Sequence, residues 1–200
     1  MPRKAKHSDH DLVARALPMF WKRGFAATSM DDLVRGTGVS RHGIYAAFDG
    51  KQGLFLACLE AYGDAVVSPA FAQVEADGAR LGAVRRYFQH QIDRAAETGF
   101  PGIGCLIANT MTETGPHEPE VLAKVRAHNE RLKRGFANVL RTEAQHAGSA
   151  LDPGTLDDLA GFLATATQGL WSLSRSVDGP EPLHAFAGTL IDLIRRRITP

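Results

Sequence analysis

The feature that most constrains the fold is residues 29–48, where two short helical patterns flank a glycine. Thr28 and Ser29 both precede the first pattern as candidate capping residues, with Asp31 and Asp32, respectively, three positions on. Ser40 caps the second pattern, which runs to about Phe48. Two short helices joined by a tight turn at Gly38 form the layout of a helix-turn-helix.

The apolar and polar residues of this stretch fall on different sides. Leu33, Val34 and Val39 lie around the turn, and Ile44 and Ala47 follow on the inner face of the second helix. Apolar side chains at these positions can lock the two helices at a steep angle. The opposite face of the second helix is predicted to present Ser40, Arg41, His42, Tyr45 and Ala46.

The rest of the chain is also predicted to be helical, because apolar residues recur every three or four positions and strand-like alternation is absent. We therefore predict an all-α protein with about nine helices. A helix-turn-helix domain spans 1–51, and a helical bundle for ligand binding and dimerisation spans 52–200. A first helix is predicted to begin at Ser8 and to stop at Gly24, before the two short helices. Beyond these three helices, the predicted helical stretches are 51–67, 79–97, 104–113, 118–146, 153–175 and 181–197.

Composition excludes several classes. Two cysteines among 200 residues imply no disulfide framework and suit a reducing cytoplasm. The start of the chain lacks the unbroken apolar stretch of a signal peptide, and no window approaches 18 uncharged apolar residues, so we expect no membrane span. Zinc-ligand spacing, a phosphate-binding glycine loop and a nucleophile elbow are absent, so we expect neither a metal nor another cofactor.

Charge is distributed unevenly along the chain. Residues 1–51 hold nine basic and five acidic residues, a net charge of +4, and the remainder carries −3. This asymmetry favours an anionic partner for the N-terminal end. DNA suits it: Arg41 could reach a guanine, Tyr45 and Lys51 are placed to hold phosphates, and the free amides after Gly50 add an anion site.

The sequence GFAATSMDDLVRGTGVSRHGIYAAFDGKQGLF resembles the N-terminal domain of the TetR family of bacterial transcriptional regulators, and the resemblance extends over residues 8–55. It implies an all-helical homodimer that binds an operator in double-stranded DNA and is released by a small-molecule effector, most simply as a repressor. His42 departs from the pattern, because the family usually has a small residue there. The predicted DNA-contacting residues are Thr28, Ser29, Ser40, Arg41, His42, Gly43, Tyr45 and Lys51.

Past residue 70 the resemblance rests on layout, and the site predictions are broader. The last two helices carry apolar residues on more than one face, which predicts a four-helix bundle across a twofold axis. Its candidate residues are Leu159, Leu163, Leu170, Phe186, Leu190 and Ile194. The alternative is that these helices close the core of a monomer. Candidates for the effector pocket are Phe88, Asn109, His128 and Trp171, each of which could equally be an ordinary core residue.

Three alternatives stay open from the sequence. Cys105 stands at the start of a helix, where a thiol can have a lowered pKa, so it could sense electrophiles or oxidants, or it could be a small buried residue. Glu143 with His146, and Glu181 with His184, have the spacing of a di-metal carboxylate enzyme, but both pairs stand at helix ends. A DNA-binding protein without an effector is the third, disfavoured by the large C-terminal body.

Overall fold

The computed structural model describes residues 8–113 and 118–199. Over these residues the chain forms nine helices and no strand, which confirms the predicted all-α class. The helices are α1 Asp9–Arg23, α2 Met30–Thr37, α3 Arg41–Phe48, α4 Lys51–Glu75, α5 Leu81–Thr98, α6 Leu106–Glu113, α7 Pro119–Ala147, α8 Pro153–Leu173 and α9 Glu181–Ile198.

Local capping defines the helix-turn-helix. The Ser29 hydroxyl accepts a hydrogen bond from the backbone N–H of Asp32, whose carboxylate accepts one from the Ser29 N–H in return. Gly38 ends α2 in the left-handed conformation, with φ of 73°, which a side chain would disfavour. Ser40 then caps α3 through the N–H of Gly43. These caps confirm the predicted pair of short helices.

Helix α4 is longer than the sequence predicts. We expected it to stop at Ser68 and Pro69, but it continues to Glu75. A π-helical turn at Gly63–Val67 comes directly before the proline, and its wider spacing accommodates the missing N–H. In the part of the chain that the structure describes, this one helix is long and apolar enough to cross a membrane by length and composition alone, but its buried side chains belong to the protein core.

Two hydrophobic cores meet along α4. Its first half contributes Leu54 and Phe55 to a core shared with α1, α2, α3, α6 and the start of α7. Its second half contributes Phe71 and Val74 to the core of α5, α7, α8 and α9. One helix therefore joins the helix-turn-helix to the C-terminal bundle and contributes to both cores.

The last two helices bury most of the residues predicted for dimerisation inside their own chain. The inner faces of α8 and α9 pack on α5 and α7, so these side chains are not available to a second subunit. The prediction was wrong for Leu163, Leu170, Leu190 and Ile194, which are at most 3% exposed. Leu159 is half-buried against the same core, and Phe186 is exposed.

Candidate functional site

Helix α3 packs against the first core through its inner face and exposes a polar outer face. Ile44 is fully buried against the first core, whereas Tyr45 is 51% exposed. Ser40, Arg41 and His42 are exposed along the first turn of the helix. Ala47, predicted on the inner face, is exposed as well, so that prediction was wrong: Ile44 is the one fully buried anchor of this short helix.

Arg41 is held in place by α2. Its guanidinium donates to the carboxylate of Asp31 at 2.9 Å, and both side chains remain mostly exposed. Two further arginines of this domain, Arg23 and Arg35, pair with Asp32. Asp31 therefore orients Arg41 across the outer surface of the motif while leaving its guanidinium open to solvent.

Two predicted DNA-contacting residues, Thr28 and Lys51, form structural contacts. Thr28 is fully buried, and its hydroxyl donates to the carbonyl of Gly24 at 2.7 Å. The Lys51 ammonium donates to the carbonyls of Phe25 and Thr28 and lies 4.2 Å from the centre of the Phe25 ring. Both side chains stabilise the turn between α1 and α2. Full burial contradicts the predicted DNA contact of Thr28, whereas the predicted phosphate contact of Lys51 stays a prediction.

The start of α4 offers backbone donors beside α3. Gly50 precedes the helix with φ of 109° and supplies no side-chain cap, so the first amides of α4 have no side chain bound to them. A Cβ on Gly50 would lie 3.0 Å from the ring of Tyr45, so glycine lets that ring cover the turn. Arg3, Lys4 and Lys6, three of the nine basic residues counted in residues 1–51, lie outside the described residues.

A cavity of about 290 Å³ lies where the two cores meet. Four aromatic side chains contribute to its wall: Trp21 from α1, Tyr62 from α4, Tyr87 from α5 and Trp171 from α8. The remaining lining residues include Val66, Val67, Ala70, Gln91, Arg94, Ala95, Thr98, Gly102, Ile103, Gly104, Cys105, His128, Thr167 and Ser174. A mostly apolar wall with a few polar groups is typical of a small-molecule site.

The four residues predicted for an effector pocket divide evenly. His128 and Trp171 line the cavity, whereas Phe88 is fully buried in the C-terminal core and does not. Asn109 is also outside the lining, because its amide donates to the carbonyl of Ile103 and holds the turn before α6. Burial lowers the pKa of His128 to about 4, with a further contribution from the charge of Arg131. His128 therefore faces the cavity as a neutral imidazole.

Cys105 lines the same cavity but is not an activated thiol. It is 7% exposed, and burial raises its pKa despite the nearby N-terminus of α6 and the Tyr62 hydroxyl. The possibility of a lowered pKa was therefore wrong, because desolvation of the thiolate outweighs those stabilising groups. Cys58, the other cysteine, is fully buried, and its pKa is raised to about 12.

Two contacts connect the cavity wall to the helix-turn-helix. The Trp21 indole N–H donates to the carbonyl of Gly104 at 2.8 Å, and its ring packs edge-on against Tyr62. At the far end of α6, the Glu113 carboxylate accepts hydrogen bonds from the amides of Phe25 and Ala26 at 2.8 and 2.6 Å. Helix α6 thus runs from the cavity to the turn that precedes α2.

The carboxylate–histidine pairs considered for a di-metal enzyme have other partners. Glu143 binds the Arg80 guanidinium, and His184 lies 3.1 Å from Asp93. Within residues 8–113 and 118–199, no group of three or more histidine, cysteine or carboxylate side chains could hold a metal ion.

Comparison with known proteins identifies the family. The family model described as "Bacterial regulatory proteins, tetR family" matches residues 12–58, and the model "Tetracyclin repressor-like, C-terminal domain" matches residues 80–190. Together they cover well over half of the chain. The protein belongs to the TetR family, and it is a DNA-binding transcriptional regulator with a helix-turn-helix, not an enzyme.

Individual relatives agree with this assignment over nearly the whole chain. The HTH-type transcriptional repressor ComR of Escherichia coli K12 is 28% identical over 180 residues, which are 90% of this chain and 85% of ComR. The repressor DhaR of Mycobacterium sp. strain GP1 is 25% identical, over 92% of this chain and 90% of its own length.

Two solved structures share this fold over nearly the whole chain. A TetR-family regulator, CifR, in complex with a 26-base-pair operator superposes with a TM-score of 0.80 at 24% identity, covering 96% of this chain and 98% of its own. The regulatory protein TetR of Rhodobacter sphaeroides gives 0.77 at 26% identity, covering 92% and 96%.

Sequence reasoning missed several residues that the structure brings together. Tyr87, Gln91, Arg94 and Thr98 follow helical spacing along one face of α5, and that spacing was a usable signal for a shared cavity wall. No local pattern could have found Glu113, because its partners lie 87 and 88 positions away in the sequence.

Proposed function

We propose that this protein is a homodimeric repressor that binds a near-palindromic operator and releases it when a small molecule occupies the interior cavity. Residues 1–51 would bind DNA, and residues 52–200 would hold the effector and the second subunit, in the cytoplasm. The observation that carries the proposal is the cavity itself, which lies between the helix-turn-helix and the bundle and includes Trp21 of α1 in its wall.

The outer surface of α8 and α9 supports the dimer. Phe162 and Leu173 on α8 are 52% and 40% exposed, and Phe186 and Leu193 on α9 are 38% and 55% exposed. Large apolar side chains exposed on neighbouring helices are typical of a protein–protein interaction site. A twofold arrangement of two such helix pairs would cover all of them.

The face of α3 supports docking in a major groove. Ser40, Arg41 and His42 begin the helix, and recognition helices contact bases with their N-terminal residues. Tyr45 and the amides after Gly50 would contact phosphates on either side. Ser29 and Gly43 remain predicted contributors, at the starts of α2 and α3.

The contacts of α6 support a response to the effector. A ligand that displaces the Trp21–Gly104 hydrogen bond would favour a conformer in which Glu113 no longer holds the turn before α2. The free energy that ligand binding contributes to DNA release cannot exceed the difference between the ligand's binding free energies for the two conformers. The turn before α2 would determine whether the two recognition helices of the dimer keep the spacing of the two operator half-sites.

Selection of bound sequences from random duplex DNA, at two salt concentrations, tests the proposal. Enrichment of one inverted repeat at both concentrations is the expected result, and Tyr45→Ala should weaken binding to it, whereas Arg196→Ala on α9 should not. Salt-sensitive binding without a shared motif would reduce the protein to a nonspecific DNA binder and contradict the proposal.

A further inference from the structure

The polar groups of the cavity define the chemistry of its ligand. Among the lining residues that the structure describes, Arg94 is the one with a permanent charge, and no lining residue is an aspartate or glutamate. Arg94 has no ion-pair partner within 4.0 Å in residues 8–113 and 118–199. Arg94 is an exposed residue at the edge of the cavity, so its guanidinium is solvated when the cavity is empty and is available to an anionic group of a ligand.

The other polar residues of the cavity indicate how many negative charges the ligand carries. His128 faces the cavity as a neutral imidazole, so it adds no second cation. Gln91 lies one helical turn before Arg94 on α5, and neither side chain has a hydrogen-bond partner among the described residues. One guanidinium with neutral donors around it matches one negative charge rather than two.

The aromatic side chains define the body of the ligand. Trp21, Tyr62, Tyr87 and Trp171 contribute to the apolar wall, and burial raises the pKa of both tyrosines, so both phenols are neutral. Flat rings pack well against such side chains. A cavity of about 290 Å³ is at the small end for ligand sites, which limits the ligand to one or two rings.

We infer that the effector is a small aromatic monocarboxylate, whose ring lies among the four aromatic side chains and whose carboxylate binds the guanidinium of Arg94. This inference rests on the proposed function, because it names the chemical class of the ligand for the same cavity. It separates the cavity from sites for cations, which Arg94 would repel, and from sites for neutral apolar molecules, which would gain nothing from the Arg94 guanidinium.

The two tryptophans provide a direct probe of occupancy. The chain contains only Trp21 and Trp171, and both line the cavity. Binding inside the cavity must therefore change the intrinsic tryptophan fluorescence. The probes are phenylacetate and 2-naphthoate, their primary amides phenylacetamide and 2-naphthamide, and the cation 2-naphthylmethylamine, each titrated into the full-length protein.

We expect at least one acid to bind, with an affinity about two- to fivefold above that of its amide, because the ion pair with the exposed arginine is lost in the amide. The amine should not bind. Arg94→Gln should reduce the affinity for the acid to that of the amide and leave the amide unchanged. Arg86→Gln is the matched control on the same helix, since Arg86 is exposed and lies outside the cavity lining.

Each other result contradicts the inference. Equal binding of acid and amide, an undiminished preference for the acid in Arg94→Gln, or no acid binding up to millimolar concentration would all overturn it. Adding operator DNA to the titrations separates failure of this inference from failure of the proposed function. An amide or amine that binds and releases DNA would keep the effector site and reject the carboxylate. An acid that binds through Arg94 without releasing DNA would keep the ligand class and reject the switch.

Discussion

Glu113 gives the sharpest test of how the C-terminal bundle holds the helix-turn-helix. Its carboxylate accepts hydrogen bonds from the backbone N–H groups of Phe25 and Ala26, at 2.8 and 2.6 Å. A Cβ on Gly24, where φ is 86°, would lie 2.5 Å from the same carboxylate. The turn between α1 and α2 is therefore built around the Glu113 side chain.

Replacement of Glu113 by alanine removes both hydrogen bonds. Hydrogen bonds to a charged group contribute roughly 1.5–3 kcal/mol each when buried, and this carboxylate is exposed, so about 1 kcal/mol for each is the appropriate scale. We expect Glu113→Ala to lower the free energy of unfolding by about 1–2 kcal/mol. Glu113→Gln should fall between the two proteins, because its amide oxygen can still accept a hydrogen bond.

Urea denaturation followed by far-ultraviolet circular dichroism measures this difference, with Glu97→Ala as the control. Glu97 is an exposed glutamate on α5 that forms no ion pair with a described residue. Operator affinity should fall together with stability in Glu113→Ala, because the turn positions α2 and with it α3. If Glu113→Ala and Glu97→Ala unfold at the same urea concentration with the same slope, the carboxylate does not anchor the turn and the reasoning is refuted.

Four further predictions follow from individual side chains. His128 resists protonation in the folded state because burial lowers its pKa to about 4, so up to about 3 kcal/mol of stability is lost as the pH falls from about 6.5 to 4, and His128→Gln should show a flatter stability profile. Leu193→Arg should give a helical monomer in sedimentation, because it places a charge on the exposed apolar surface; an unchanged dimer would exclude that surface. Iodoacetamide should alkylate Cys105 about tenfold more slowly in the native protein than in urea, since burial raises its pKa, and equal rates would restore the thiol-sensor hypothesis. Arg41→Ala should relax base preference at one position in each half-site, whereas an unchanged preference with a flatter salt dependence would show that Arg41 contacts phosphate; Asp31→Asn should alter the same preference more weakly.

Local signals in the sequence predict the helix-turn-helix well. The caps at Ser29 and Ser40 and the left-handed turn at Gly38 act through neighbouring residues, so their effect is readable from spacing. Pro69 shows the limit of the same reasoning, because the preceding π-helical turn removes the break that a proline normally imposes. Local rules identify element types, and they miss irregular backbone that compensates a local defect.

The candidate sites depend on contacts between residues that are distant in the sequence. The sequence predicts only some of these contacts. Leu163 and Ile194 are apolar at helical spacing whether they face their own core or a second subunit, so periodicity alone cannot assign the partner. Trp21 illustrates the same point for the cavity. It lies on α1, yet it lines the pocket because Tyr62 and Gly104 lie beside it in the folded chain.

The most direct test of the central claim is the stoichiometry and specificity of the protein on its selected inverted repeat. Native mass spectrometry with a titration at physiological salt measures both, using the repeat and a duplex of the same composition with scrambled half-sites. We predict two chains for each duplex and binding to the repeat about a thousandfold or more tighter than to the scrambled duplex. Equal affinity for the two duplexes, or a single chain on each, would contradict a dimeric regulator that reads DNA sequence through α3.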